Sequence, residues 1–254
     1  MRLVIKIGTS TLAHKTGKLN IRAFEELAKV ISNLKNSGIE VILVSSGAIG
    51  MGAGKLGLTA RPEDIPTKQA AAAVGQCELM YMYDKYFGEY HHTVAQMLLT
   101  ANDFEEPEKH KNLTNTLARL LQMQALPIIN ENDTVSTAEI SIGDNDTLSA
   151  LVARDCKADM LILVSDIEGL YTADPHKVSD AKLISVVENV DDVLALGDGA
   201  VSVLGTGGMA TKLQAAKLVT SAGIDMAIIS GGKPKLLYDI VEGKQVGTKF
   251  LGKK

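Results

Sequence analysis

The chain has 254 residues with a formal net charge of -4. That length suits one large domain or two lobes around a substantial core, and the mild negative balance leaves no global positive field to collect nucleic acid. Two cysteines, Cys77 and Cys156, are too few and wrongly spaced for a disulfide framework or a zinc motif, which points to a reducing compartment.

Only 4% of residues are aromatic and none is Trp, while Ala, Val, Ile, Leu and Gly are plentiful. This bias favours helices packed on a parallel sheet over a sandwich. The N-terminus enters a strand-like run instead of a secretory signal, and no apolar run approaches the roughly 20 residues of a membrane helix. The sequence is therefore read as cytoplasmic, with neither membrane nor nucleic acid as a partner.

The first predicted element is a strand over 3–7, with Lys6 inside an otherwise apolar run. A helix follows over 21–35. Its apolar stripe is Ile21, Phe24, Leu27, Ala28, Ile31 and Leu34, with Asn20 placed to cap its start and Gly38 to take the left-handed turn after its end. A strand is predicted over 40–45. An Ala-rich helix over 67–87 places Cys77 where a small buried thiol is the ordinary role.

Further on, the pattern predicts a strand over 93–98, a helix over 113–124, a buried strand over 127–130 and a helix over 147–156. The strand 160–164, the helix 209–222 and the strand 226–229 complete the series, while 173–205 has weaker periodicity. This alternation implies right-handed crossovers and an α/β fold with an open, largely parallel sheet between helices.

Glycines over 50–57 nearly form two phosphate-loop patterns. The Walker pattern fails, because Ile49 stands where a glycine is required and Leu56 where Ser or Thr would hold magnesium. Gly52, Gly54 and Gly57 match GxGxxG, but the preceding strand ends several residues earlier, so these glycines are read as permitting turns or close backbone approach.

Stronger signals are polar clusters placed just after apolar strands, where open α/β sheets bind ligands. They are Lys6-Ile7-Gly8-Thr9-Ser10, Ser45-Ser46-Gly47-Ala48, Asn130-Glu131-Asn132-Asp133, Ser165-Asp166-Ile167-Glu168-Gly169 and Ser230-Gly231-Gly232. A Gly-rich helix entry over 205–212 adds backbone donors and Lys212 one turn inside the helix. Gly143-Asp144-Asn145-Asp146-Thr147 puts two carboxylates around an amide at a helix start; capping needs only one of them, so a site role is expected for the other. The five histidines show no metal-ligand spacing, and Ser45-Ser46-Gly47 lacks the frame of a nucleophile elbow.

Taken together, VIKIGTS at 4–10, VSSGAIGMG at 44–52, INENDTV at 129–135, GDNDTLSALVA at 143–153, SDIEGLYTADP at 165–175 and GTGGMATK at 205–212 resemble the amino-acid kinase family. Within it they resemble the members that phosphorylate glutamate. The resemblance implies one kinase domain over 1–254, with a glutamate-binding lobe over about 1–157 and an ATP-binding lobe over about 158–254. It places Ser46, Asp133 and Asn145 at substrate-binding positions, and Lys6, Ser165, Asp166, Thr206, Gly207, Gly208, Met209, Ala210, Thr211 and Lys212 at ATP-binding positions. Longer members carry a C-terminal PUA domain, which this chain is expected to lack. The resemblance further implies L-glutamate as substrate in the first step of proline biosynthesis, and a homo-oligomer. Proline is a candidate feedback inhibitor and glutamyl phosphate reductase a candidate partner.

Because a glutamate carboxylate is already ionised at neutral pH, with a reference pKa of about 4.3, such a reaction needs cations and alignment instead of a general base. Lys6 and Lys212 are expected on opposite sides of the transferring phosphoryl group, with Asp146 holding both. Mg²⁺ is expected on the ATP phosphates with most of its water kept, Asp144 near it, and its direct protein ligands unassigned. Two alternatives stay open: a related kinase acting on another acid, and a non-catalytic amino-acid sensor of the same fold.

Overall fold

The computed structural model describes residues 1–14, 18–60, 62–136, 144–175, 177–178, 180–197 and 208–253. Strands β1 (Arg2–Ile7), β2 (Glu40–Ser45), β3 (Val94–Leu99), β4 (Leu126–Glu131), β5 (Met160–Ser165), β6 (Val186–Val187), β7 (Asp225–Ser230) and β8 (Thr248–Phe250) form one sheet. Its order is β3-β4-β2-β1-β5-β7-β8-β6, and every neighbouring pair is parallel except β7 with β8. Helices α1 (Thr9–Leu12), α2 (Ile21–Asn36), α3 (Ala48–Lys55), α4 (Ile65–Gly88), α5 (Asn102–Glu105), α6 (Pro107–Gln122), α7 (Asn145–Asp155), α8 (Met209–Ser221) and α9 (Leu236–Val241) flank it. A 3-10 helix spans Val190–Gly197. This is the open, largely parallel sheet between helices that the alternation implies. No helix among the described residues is long and apolar enough to cross a membrane.

The strand order reverses at β1. The chain runs from β1 outward to β2 and the β4/β3 edge, then resumes on the other side of β1 with β5 and β7. Such a switch opens a crevice at the carboxyl ends of the two central strands.

Alternation along β1 divides the core. Leu3, Ile5 and Ile7 face α2, α4 and α9, whereas Val4 faces the α6, α7 and α8 layer. The period of two puts Lys6 on the Val4 face, in a strand paired on both sides, so it is no edge-strand lysine. Each fully buried aliphatic or aromatic side chain contributes about 1.5–3 kcal/mol. Phe24 and Tyr83, ring centroids 4.7 Å apart, anchor the α2/α4 side.

Helix α2 starts and stops where its sequence signals lie. The Asn20 side chain accepts from the Ala23 N-H, and Gly38, at φ 91°, closes the end while the Ile39 N-H reaches back to Leu34 O. Ile21 corrects the expected stripe: it is exposed, and the sheet-facing row begins one turn later at Phe24. Helix α4 begins two residues earlier than expected, because Asp64 caps it through the Thr67 N-H and Pro66 fits its first turn. Cys77 is a second correction, since it lies on the exposed side of α4. Helix α6 starts at Pro107, six residues before the expected 113, its polar first turns carrying no apolar period.

The glycine-rich stretch after β2 is helical. In α3, a Cβ at Gly52 would lie 1.8 Å from Ala71 O, and a Cβ at Gly75 of α4 would lie 1.8 Å from Ala48 O. The two helices therefore touch backbone to backbone, which is the close approach those glycines permit. Gly52→Ala is expected to destabilise by about 3 kcal/mol, the upper end for overpacking, because the clash is with backbone that no rotamer change relieves. Chemical unfolding would measure it, and a mutant as stable as the wild type would show that the crossing has slack.

Candidate active site

Three strand ends and two helix starts meet at the crevice. Asp146 lies in the first turn of α7 and is fully buried, with Lys6 Nζ of β1 at 2.7 Å from one carboxylate oxygen and Lys212 Nζ of α8 at 3.0 Å from the other. Lys212 is 5% exposed. The Thr211 hydroxyl donates to the same Asp146 oxygen at 3.2 Å. Helix α7 holds its acid there through a core shared with α8, to which Leu148, Val152, Leu213 and Ala216 belong. Burial would push the Asp146 carboxyl up, but Lys6 and Lys212 outweigh it and hold the group below the usual carboxylate range.

The helix cap falls to the neighbouring acid. Asp144 accepts from the Thr147 N-H at 2.8 Å, so α7 is capped without Asp146. The Asp144 carboxyl is itself shifted upward by burial, against the opposing pull of that N-H.

Asn145, between the two acids, ties β2 to β4. Its Nδ2 lies 2.8 Å from Ser45 O, 2.8 Å from Ser46 Oγ and 3.0 Å from Asn130 Oδ1, more acceptors than its two hydrogens serve at once. Asn130 in turn accepts from the Glu131 N-H and donates to Gln76 Oε1 of α4 at 2.9 Å. The Tyr83 hydroxyl pairs with Ser45 Oγ at 2.7 Å and steadies the end of β2.

Asp133 stands in the loop after β4, beside a small cavity that it shares with Gln76 and Glu131. Burial, with Glu131 nearby, pushes its carboxyl up to about 6. On the other side of β1, Ser165 Oγ donates to Asp166 Oδ1 at 3.0 Å, and both residues line a cleft of about 410 Å³ with Ser10, Thr11 and Gly231. Gly208 is the N-cap of α8, Met209 is buried and Ala210 exposed. Thr206 and Gly207 lie outside the described residues.

The structure thus brings Lys6, Asp146, Lys212 and Thr211 into one contact group, and Ser46 with Asn145 into another directly beside it. Among the described residues, no hydrogen bond or ion pair joins Asp133 to either group. Asn130 and Gln76 were not foreseen as site residues. Their signals were legible: Asn130 sits in a quoted post-strand cluster, and Gln76 is a polar residue on the buried Ala72 and Leu79 stripe of α4.

The family model for the amino acid kinase family matches residues 1–230. The chain belongs to the amino acid kinase family. Among members similar to it, glutamate 5-kinase of Clostridium tetani is 53% identical over 98% of this chain and 93% of its own length. Glutamate 5-kinase of Caldanaerobacter subterraneus is 51% identical over 99% of this chain and 68% of its own length. Carbamate kinase from Giardia lamblia bound to AMP-PNP has the same fold, with a TM-score of 0.71 and 19% identity over 98% of both chains.

Proposed function

We propose that this chain catalyses transfer of the terminal phosphoryl group of ATP to the side-chain carboxylate of L-glutamate, giving glutamyl 5-phosphate. The observation that carries the reading is the Lys6–Asp146–Lys212 group beside the Ser46–Asn145 hydrogen-bond cluster. Support also comes from relatives named glutamate 5-kinase at about half identity over nearly the whole chain.

The nucleophile and the triphosphate are both anionic, so their approach is the barrier the site must lower. Lys6 and Lys212 would flank the transferring group and stabilise charge as it spreads over the equatorial oxygens. Their shared carboxylate fixes both ammonium groups in advance, so little reorganisation is left for the reaction itself. Ser46, Asn145 and Asp133 would orient glutamate on the β2/β4 side, within the proposed N-terminal lobe. Ser165, Asp166 and the 206–212 segment would hold the nucleotide on the β5 side.

Mg²⁺ bound to the phosphates would neutralise part of their charge. The Asp144 carboxylate, at the start of α7 beside Asp146, fits that role: it would accept from ion-bound water while keeping its cap to the Thr147 N-H.

Glutamyl hydroxamate formation with ATP, Mg²⁺, glutamate and hydroxylamine tests reaction and substrate together. No hydroxamate with glutamate, but ADP release with another acid, would reassign the substrate. The product is an acyl phosphate prone to hydrolysis, so a reductase acting on acyl phosphates is the proposed next step, toward proline.

The Asp133 shift gives a pH test. Its folded pKa, about 6, exceeds the unfolded value near 3.9, so this group's contribution to stability is complete below the unfolded value and fades as pH rises through 6. Binding an ammonium needs the ionised form. The KM for glutamate is therefore expected to rise as pH falls below about 6 with kcat little changed, and Asp133→Asn should show a raised KM that is flat over the same range. An unchanged wild-type KM between pH 7 and 5 would remove Asp133 from ammonium binding.

A further inference from the structure

The amide chain behind the site has its orientation fixed by backbone groups. Ser45 O can only accept, so the Asn145 group facing it is the NH₂; the Glu131 N-H can only donate, so the Asn130 group facing it is the oxygen. Asn130 must then turn its NH₂ to Gln76, and Gln76 must turn Oε1 to Asn130. This leaves Gln76 Nε2 buried with no hydrogen-bond partner among the described residues.

An orphaned buried donor is destabilising, a penalty removed when a ligand supplies the acceptor. Gln76 is 7% exposed and lines a cavity of about 10 Å³ with Ala48, Glu131, Asp133 and Thr134. That volume holds about one water-sized atom. The residues around that cavity include Gln76, whose Nε2 lacks an acceptor, Asp133, and Glu131, which already accepts from the Ser136 hydroxyl.

We propose that Gln76 is a specificity residue whose Nε2 donates to an α-carboxylate oxygen of the amino-acid substrate. The assignment rests on the glutamate reading above. In an α-amino acid the ammonium and carboxylate share one carbon, so an acceptor for one and a donor for the other must open on one space, and Asp133 and Gln76 line the same cavity. A cavity of that size takes a single carboxylate oxygen, so the ammonium and the side chain would lie outside it, the side chain directed toward Lys6 and Lys212.

Two substitutions separate this role from simple support of Asn130. Gln76→Glu keeps an acceptor for the Asn130 NH₂ but replaces the free donor with a repelling oxygen, whereas Gln76→Met removes both functions at similar volume. Direct binding predicts a KM for glutamate that rises at least tenfold in Gln76→Met and further in Gln76→Glu, with the KM for ATP within twofold of wild type. Support alone predicts the reverse order, with Gln76→Glu close to wild type. Melting temperatures measured alongside show whether either variant has lost its fold; if both have, the wild type's preference for glutamate over 4-aminobutyrate, which lacks the α-carboxylate, decides, and equal KM values overturn the proposal. Wild-type protein that forms no glutamyl hydroxamate sinks the glutamate reading and this assignment together, while normal wild-type turnover with the reversed order sinks the assignment alone.

Discussion

Lys212→Ala is expected to lower kcat by roughly 10²-fold or more while ATP still binds within a few-fold of wild type. An electrostatic stabiliser aimed at charge that develops in the transition state contributes about 3 kcal/mol, and its loss falls on kcat more than on ground-state binding. Lys212 has that placement in the proposed mechanism: it is buried, and its ammonium is held 3.0 Å from Asp146 instead of ranging over the surface. Lys6→Ala should behave alike, because Lys6 holds the opposite carboxylate oxygen at 2.7 Å. Turnover measured at saturating ATP and glutamate, with ATP affinity measured separately by calorimetry, checks the split. A loss confined to ATP affinity would make the lysines nucleotide anchors only.

Asp146→Asn should lower turnover by a comparable factor and also destabilise the fold. The substitution keeps shape but leaves the buried Lys212 ammonium and the partly buried Lys6 ammonium facing an amide, and breaking a buried ion pair from one side costs about 3–5 kcal/mol. The pH dependence has a definite sign. Because the folded pKa of Asp146 is depressed, its stabilisation is present above the unfolded value near 3.9 and is lost as pH falls through the folded value. The stability gap between wild type and mutant should therefore be wide at pH 7 and close toward strong acid. Asp144→Ala is the contrast in stability alone: it removes the α7 cap, at about 1 kcal/mol, while both lysines keep Asp146 as partner. If Asp146→Asn matched wild type in stability and rate while Asp144→Ala did not, the site assigned to Asp146 would belong to its neighbour.

The central strands were readable because a parallel strand buried on both faces is an uninterrupted apolar run, as in β5 and β7. Helix α2 was readable because its period and both its caps agree. Helix α3 was hidden, since Gly50, Gly52 and Gly54 inside it each weigh against a helix by about 1 kcal/mol, and only contact with α4 shows why Gly52 is there. Strand β8 was hidden too, being three residues long with no period to detect.

The candidate site divides in the same way. Lys6, Asp146 and Lys212 stood out as charges next to apolar runs, because a charge near a core must have a partner or a ligand. Their residue types and positions were fixed by the chain itself. Which acid caps α7 and which meets the lysines was not, since Asp144 and Asp146 have the same chemistry at the same helix start. Only the docking of α7 against β1 and α8 separates them, because it turns Asp146 inward and leaves Asp144 on the backbone N-H groups. Gln76 and Asn130 belong to this second kind: 54 residues apart in sequence, they form one hydrogen bond because α4 packs on the end of β4, and no local pattern encodes a contact that only the closed sheet creates.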